Sequence, residues 1–443
     1  MRSVVHCLLL LAVSSSTAVA AEWKQFRGPD GQGHAEAKNL PTTWSETENI
    51  LWKTAIPGLG WSSPVYSDNT IWLTTAIEIP LTADELEAAR KQKLAGNPLA
   101  KQMSLVGSLS LRAVSVDART GRLLADLELL TVKDPPAIHS LNSYASPTPL
   151  LDGNLLLCHF GELGTVCLDT YTGKVKWKAT LPSAHSVGAG SSPILHGNLF
   201  IVPCDGTDQQ YVVALNKLTG EQVWKTPRPP MTGTNGDLHK AFASPLLVKT
   251  SGRKQLIIPG AQWVTAYEPA TGKEIWRVNY GDGFSSVPAP VMAGDLVCIC
   301  TGFMQPQMIA VRTDGEGDVT KTHVAWKILK SIPTMPSPVV VGDQIYFVTD
   351  QGVATSASTK DGEVIWTKRI PGNYSASPLY ADGKLHFSSR EGDTTVIRPG
   401  REYEELSVNK LEGQHMASPA VFDNSLLLRT STHLYRVGKT ATK

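Results

Sequence analysis

One dipeptide dominates the sequence: a Ser-Pro or Ala-Pro step opens a short apolar stretch eight times, at Ser63-Pro64, Ser146-Pro147, Ser192-Pro193, Ser244-Pro245, Ala289-Pro290, Ser337-Pro338, Ser377-Pro378 and Ser418-Pro419. After one long first interval the spacing is about 40 to 52 residues, the range of propeller blades. Beyond most prolines a turn dipeptide follows the apolar stretch, as at Asp68-Asn69, Gly197-Asn198, Gly342-Asp343 and Asp382-Gly383. Asn, Asp and Gly tolerate positive φ, so these are hairpin turns. A second mark closes the unit: a turn glycine and, four residues later, a tryptophan, at Gly173 and Trp177, Gly220 and Trp224, Gly272 and Trp276, and Gly362 and Trp366. The constant offset on an alternating strand sets each indole at the same depth of its sheet. Trp326 continues the series without the glycine, and the first unit keeps Thr120-Gly121 but has Ala125 in place of the indole.

The ends of the chain are out of register with these units. Trp52-Lys53-Thr54-Ala55-Ile56-Pro57 matches Trp177-Lys178-Ala179-Thr180-Leu181-Pro182, yet nothing before it supplies the rest of a blade, and the last unit, from Ser418, has no Trp strand. The sequence therefore predicts an all-β, eight-bladed propeller over 49–438, with the strand around 50–54 completing the last blade and leaving no free edge.

Two segments depart from the repeat. Residues 79–103, rich in Glu, Ala, Lys and Leu with a helix start at Thr82-Ala83-Asp84-Glu85, predict a helical insertion in blade one whose charges form a solvated face. Residues 21–48 contain Gly28-Pro29-Asp30-Gly31-Gln32-Gly33 without the strand and helix a phosphate loop requires, and predict a clasp across the ring. Residues 1–20 carry Arg2, an apolar core and a small-residue exit at Ala18-Val19-Ala20, the pattern of a secretory leader. Residues 439–443 are a short tail. The expectation is an exported, soluble, monomeric protein, periplasmic or extracellular.

Composition narrows the function classes. Forty-one Lys and Arg against 40 Asp and Glu give a net charge of +1, without the cationic excess that nucleic-acid binding needs. No apolar run reaches the ~18 residues of a membrane-spanning helix. Five cysteines follow the leader; Cys158 and Cys167 flank a predicted hairpin tip at Glu162-Leu163 that would set them opposite each other, and two buried thiols are favoured over a bond. No Cys and His set has zinc-site spacing.

The Thr-Gly-Lys-x-x-Trp marks and the recurring Ser-Pro steps resemble the quinoprotein-like propellers of the PQQ-repeat superfamily, which includes quinoprotein alcohol dehydrogenases and the outer-membrane-protein assembly factor BamB. Trp23-Lys24-Gln25-Phe26-Arg27-Gly28-Pro29 and Asn142-Ser143-Tyr144-Ala145-Ser146-Pro147-Thr148-Pro149 are similar to a branch of exported bacterial repeat proteins of that kind. The resemblance implies that Trp52, Trp177, Trp224, Trp276, Trp326 and Trp366 dock neighbouring blades. The dehydrogenases add PQQ, Ca²⁺, an aspartate base and a pair of adjacent cysteines; this sequence has no Cys-Cys dipeptide and no carboxylate-rich loop, so the resemblance implies the scaffold without firmly implying a cofactor.

A ligand site would sit where the connections preceding the Ser-Pro steps ring the channel mouth. The candidates are His139, Asn142, Tyr144, His185, Arg228, Lys240, Asp282, Asn373, Tyr374 and His415, with Trp61, Phe242, Phe284, Met335 and Met416 as the aromatic and thioether wall. No residue is assigned as catalytic or metal-ligating. The reading is a non-catalytic binding or scaffold protein of the cell envelope, taking an envelope protein or a small-molecule or sugar ligand; a PQQ- or metal-dependent oxidoreductase of alcohols or sugars is the alternative.

Overall fold

The computed structural model describes residues 22–439; the predicted leader lies outside them. Eight sheets of four antiparallel strands, two of them with a short parallel strand added at one edge, follow one another around a ring. Blade 2 is representative, with strands Leu150–Asp152, Leu155–His159, Thr165–Asp169 and Lys174–Ala179 in sequence order from the channel outward. Its second strand is buried throughout, whereas the outermost is exposed except for Trp177 and two half-buried neighbours. Blade 8 combines Ala420–Phe422, Ser425–Arg429 and His433–Val437 with the N-terminal strand Ile50–Ala55 as its outer edge, antiparallel with Lys53 opposite Tyr435. The ring is therefore latched by strand pairing between its two ends.

The two sequence marks have one explanation each. The Trp of one blade lies over the turn glycine of the next: a Cβ on Gly220 would stand 2.7 Å from the Trp177 indole, and one on Gly121 2.7 Å from that of Trp52. Gly220 has φ +77°, so the position excludes a side chain twice over. The indole N–H then reaches the same neighbour: Trp52 donates to Ala118 O (3.0 Å), Trp177 to Lys217 O (2.9 Å), Trp326 to Thr359 O (3.0 Å) and Trp366 to Gly400 O (3.0 Å). Trp224 lies on Gly272 in the same way. Trp276 faces blade 5, whose turn lacks the glycine; it is fully buried and donates to Gln255 Oε1 (2.7 Å), while Gln255 Nε2 donates to Thr313 O of blade 5 (2.8 Å).

The Ser of the Ser-Pro step is a link between blades. Ser192 N–H donates to Ser244 Oγ, Ala289 N–H to Ser337 Oγ, Ser337 N–H to Ser377 Oγ and Ser377 N–H to Ser418 Oγ, at 2.9 to 3.0 Å. Proline then begins the innermost strand, where its missing N–H costs no ladder bond. This belt corrects the register of blade 2. Ser63 N–H donates to Thr148 Oγ1 (2.9 Å) and Thr148 N–H to Ser192 Oγ (3.0 Å), so Thr148-Pro149 holds the equivalent position, two residues after the expected Ser146-Pro147. A threonine hydroxyl accepts the bond as well as a serine's. Ser146 lies instead in the preceding loop, donating to Asn142 Oδ1 (2.6 Å).

The insertion of blade 1 contains the helix Ala83–Lys93 with a Thr82 and Glu85 capping box and no buried residue. Its return, Met103–Ser104, pairs antiparallel with Ile138–His139 and so ties the insertion to the loop before blade 2. The expected opposition of Cys158 and Cys167 does not occur: Cys158 pairs with Val166 and Leu157 with Cys167, so the sulfurs leave opposite faces of the sheet, and all five described cysteines are free and buried. A short helical turn, Gly161–Leu163, supplies the extra residue that shifts the register.

Candidate functional site

The N-terminal segment determines which end of the channel is open. Trp23 O accepts from Tyr66 N–H of blade 1 (2.7 Å), Lys24 O from Leu151 N–H of blade 2 (2.9 Å), and Gln32 Oε1 from Met292 N–H of blade 5 (2.7 Å). Arg27 Nη2 donates to Pro338 O of blade 6 (2.6 Å), and His34–Ala35 pairs parallel with the innermost strand of blade 7. The segment thus crosses the ring and forms a floor. Arg27 is fully buried within it, its Nε and Nη1 have no partner, and burial lowers its pKa to about 9.

Above the floor lies an open cavity of about 580 Å³. Phe26 borders it from the floor segment, and the loops preceding the innermost strands contribute Trp61, Val187, Phe242, Phe284, Met335 and Met416. The wall is predominantly apolar and aromatic, as small-molecule sites commonly are.

Most of its polar groups are already engaged. His139 Nδ1 accepts from Leu141 N–H (3.1 Å), which leaves Nε2 protonated and donating to Gln102 Oε1 (2.9 Å). The imidazole is thus held neutral, and its pKa is lowered by burial and secondarily by Arg390. Asn142 Nδ2 donates to Val187 O (2.9 Å) and Ala189 O (3.2 Å), clamping the loop before blade 3. Lys240 Nζ bonds Asp237 and Ser186, each at 2.8 Å. Asn373 Nδ2 donates to Glu391 Oε1 (2.8 Å). Asp350, the one carboxylate of the lining, accepts from Thr334 Oγ1, Thr334 N–H and Met335 N–H.

Of the ten polar candidates, His139, Asn142, Lys240 and Asn373 border this cavity; the other six do not. Tyr144 and Tyr374 turn inward and donate to Pro136 O (2.9 Å) and Pro371 O (2.6 Å) of their own loops. His185 and His415 are buried, with pKa values lowered to about 4 by desolvation; His185 stands behind the wall with its ring 6.0 Å from that of Phe242. Arg228 is fully buried in a two-pronged ion pair with Asp205, Nε to Oδ1 at 2.9 Å and Nη2 to Oδ2 at 2.8 Å, and donates to Tyr267 Oη of blade 4. It joins blades 3 and 4. Asp282 is exposed and stands outside the cavity lining.

A second class of connection also reaches the cavity. Asp350 and Gln351 lie in the turn after the second strand of blade 6, and Arg390 in the equivalent turn of blade 7. Both turns end in a positive-φ glycine, Gly352 and Gly392. The parallel phrases Thr349-Asp350-Gln351-Gly352 and Ser389-Arg390-Glu391-Gly392 were the available sequence signal. Gln102 and Leu99 come from the blade 1 insertion. Among the described residues no group of three or more His, Cys, Asp or Glu side chains is arranged to hold a metal ion, and no helix is long and apolar enough to cross a membrane.

The sequence profile of the family described as outer membrane protein assembly factor BamB, a family of PQQ-type repeats, matches residues 110–314 and 260–415. The chain belongs to this family. Among solved structures, the quinohemoprotein alcohol dehydrogenase of Comamonas testosteroni superposes with a TM-score of 0.63 over 96% of this chain and 82% of that one, at 10% identity. BamB of Moraxella catarrhalis does so with a TM-score of 0.53 over 75% of this chain and 99% of that one, at 14% identity. At these identities the likeness is one of fold, and it spans both a dehydrogenase and an assembly factor. A 153-residue stretch, 34% of this chain, is 28% identical to the tetrathionate hydrolase of Acidithiobacillus ferrooxidans and covers 28% of that protein's length.

Proposed function

We propose that this chain is an exported, non-catalytic binding protein of the cell envelope that receives a small ligand, or a side chain of a protein partner, in the cup of its ring. The carrying observation is the one-ended cavity: a floor made by the N-terminal segment and an aromatic wall whose polar groups are mostly consumed in positioning loops. An envelope protein partner is in keeping with the family's description, and export with the leader pattern in 1–20.

The residues do not fit the calcium-dependent quinone site that the fold suggests. Asp350 is the single cavity carboxylate and is already held by three donors, whereas a Ca²⁺ site draws six to eight oxygen ligands. The test is a titration of the purified mature protein with PQQ and Ca²⁺ followed by absorbance, together with dye reduction by alcohols and aldoses. No turnover is expected. Saturable, calcium-dependent PQQ binding accompanied by dye reduction would replace this reading with that of an oxidoreductase.

A further inference from the structure

Arg390 differs from Lys240, the other cation of the cup, in how it is held. Its Nε donates to Ser375 Oγ (2.8 Å), and its Nη2 to Tyr374 O (3.1 Å) and Met335 Sδ (3.1 Å), so the guanidinium is fixed by neutral acceptors alone. No carboxylate lies within ion-pair distance among the described residues, although Lys240, the other cation of the lining, is paired with Asp237 at 2.8 Å. Among the described residues Nη1 has no hydrogen-bond partner. Arg390 is half-buried, and desolvation lowers its pKa against the opposing pull of Asp350 and Glu391, two carboxylates that act on it without touching it. Asp350 is spent on the Thr334 and Met335 donors, and Glu391 on Asn373. Two blades away, Ser63 Oγ of blade 1 is buried and unpartnered among the described residues, a further position for an oxygen-bearing ligand.

We infer that Arg390 anchors an anionic group, a carboxylate or one of like geometry, carried on an apolar body that fills the cup against Trp61, Phe242 and Phe284. A guanidinium whose Nη1 is uncommitted suits a carboxylate better than a neutral ligand, and a charge-assisted bond in a partly desolvated site is stronger than its neutral counterpart. This deepens the cup-binding reading and rests on it. The acid has two sources, a free organic acid or the C-terminal carboxylate of a polypeptide, and the shared chemistry is what Arg390 reads.

The experiment uses calorimetric titration of the mature protein with naphthoate and with its neutral isostere naphthamide, and with acetyl-glycyl-phenylalanine as free acid and as C-terminal amide. The expected result is that at least one acid binds about tenfold or more tightly than its amide. That preference disappears in Arg390→Met and persists in Lys240→Met, with both variants checked by melting curves. The wild-type acid-to-amide ratio decides independently if Arg390→Met is poorly folded. A response to the peptide acid and not to naphthoate assigns the source as a chain terminus; the reverse assigns a free acid. Equal binding of acids and amides overturns the role of Arg390 while leaving the cup as an apolar binding site, as does a preference lost in Lys240→Met instead. Binding of none of the four probes rejects the cup reading itself.

Discussion

The glycine under each indole can be tested by adding a single methyl group. In Gly220→Ala the new Cβ would stand 2.7 Å from Cδ2 and Cε3 of Trp177, and the residue would keep φ +77°. The left-handed conformation alone costs an alanine roughly 1–2 kcal/mol. Displacing the indole adds about 1–3 kcal/mol of overpacking, including strain on its N–H bond to Lys217 O. Gly197→Ala is the control, because Gly197 has φ +58° and nothing lies within 4 Å of the Cβ position. It should cost the conformational part only. In a Trp177→Leu background, the cost of Gly220→Ala should fall toward that of Gly197→Ala, a coupling that a double-mutant cycle isolates. Denaturant midpoints followed by far-ultraviolet circular dichroism give the ranking, provided the slopes agree. If Gly220→Ala proves no more costly than Gly197→Ala, the joint recurrence of glycine and tryptophan has some cause other than this contact.

Other perturbations follow from the same geometry. Thr148→Ala removes the acceptor of Ser63 N–H and should cost about 1–3 kcal/mol, whereas Thr148→Ser should recover most of the loss by the same denaturation assay. Asp205→Ala leaves Arg228 buried without its partner and should cost about 3–5 kcal/mol, while replacing both by apolar residues should cost much less. His159, His185, His386 and His415 are buried, and desolvation lowers their pKa values to about 3, 4, 3 and 4 from an ordinary value of 6.5. The unfolded chain therefore binds more protons than the folded one between those values and 6.5, so stability is full above 6.5 and is lost as pH falls through the window. Each imidazole contributes a slope approaching about 1.4 kcal/mol per pH unit, and His386→Leu should remove one such contribution from melting curves recorded between pH 5 and 6.5. A chain starting after Thr54 loses the outer strand of blade 8 together with the floor, and should lose its stable monomeric state in sedimentation; an unimpaired monomer would refute strand closure of the ring.

The repeated contacts were legible because the ring makes them over and over. A hydroxyl accepting from the next blade, and an indole on the next blade's glycine, impose the same residue type at the same offset, and that is what a single sequence can display. Even there the belt tolerated Thr148 for serine, and a nearby Ser-Pro step outside the belt drew the register of blade 2 two residues away. The cavity was less legible, since side-chain direction in a loop has no period. Tyr144 and Tyr374 occupy the expected connections, but each hydroxyl finds a carbonyl of its own loop, so the ring packs inward. His139 and Asn142 face the cavity, yet their bonding groups position loops. Phe26 and Arg390 escaped notice because neither belongs to the connections preceding the Ser-Pro steps.

The chain's first described segment does two separable jobs, and their combination bears on function. Residues 50–55 close the ring around its circumference by pairing with blade 8, whereas residues 22–35 close it along its axis by bonding to blades 1, 2, 5, 6 and 7. Closure around the circumference would suffice for a scaffold that uses its outer surface. The axial closure buries Arg27 with two unpartnered donors, a cost no stability argument requires. What it creates is a cup with one mouth, and at that mouth the loops before the innermost strands, the blade 1 insertion and the turns carrying Asp350 and Arg390 converge. A floor that costs buried hydrogen-bonding capacity is understandable in a protein that must retain what enters from above.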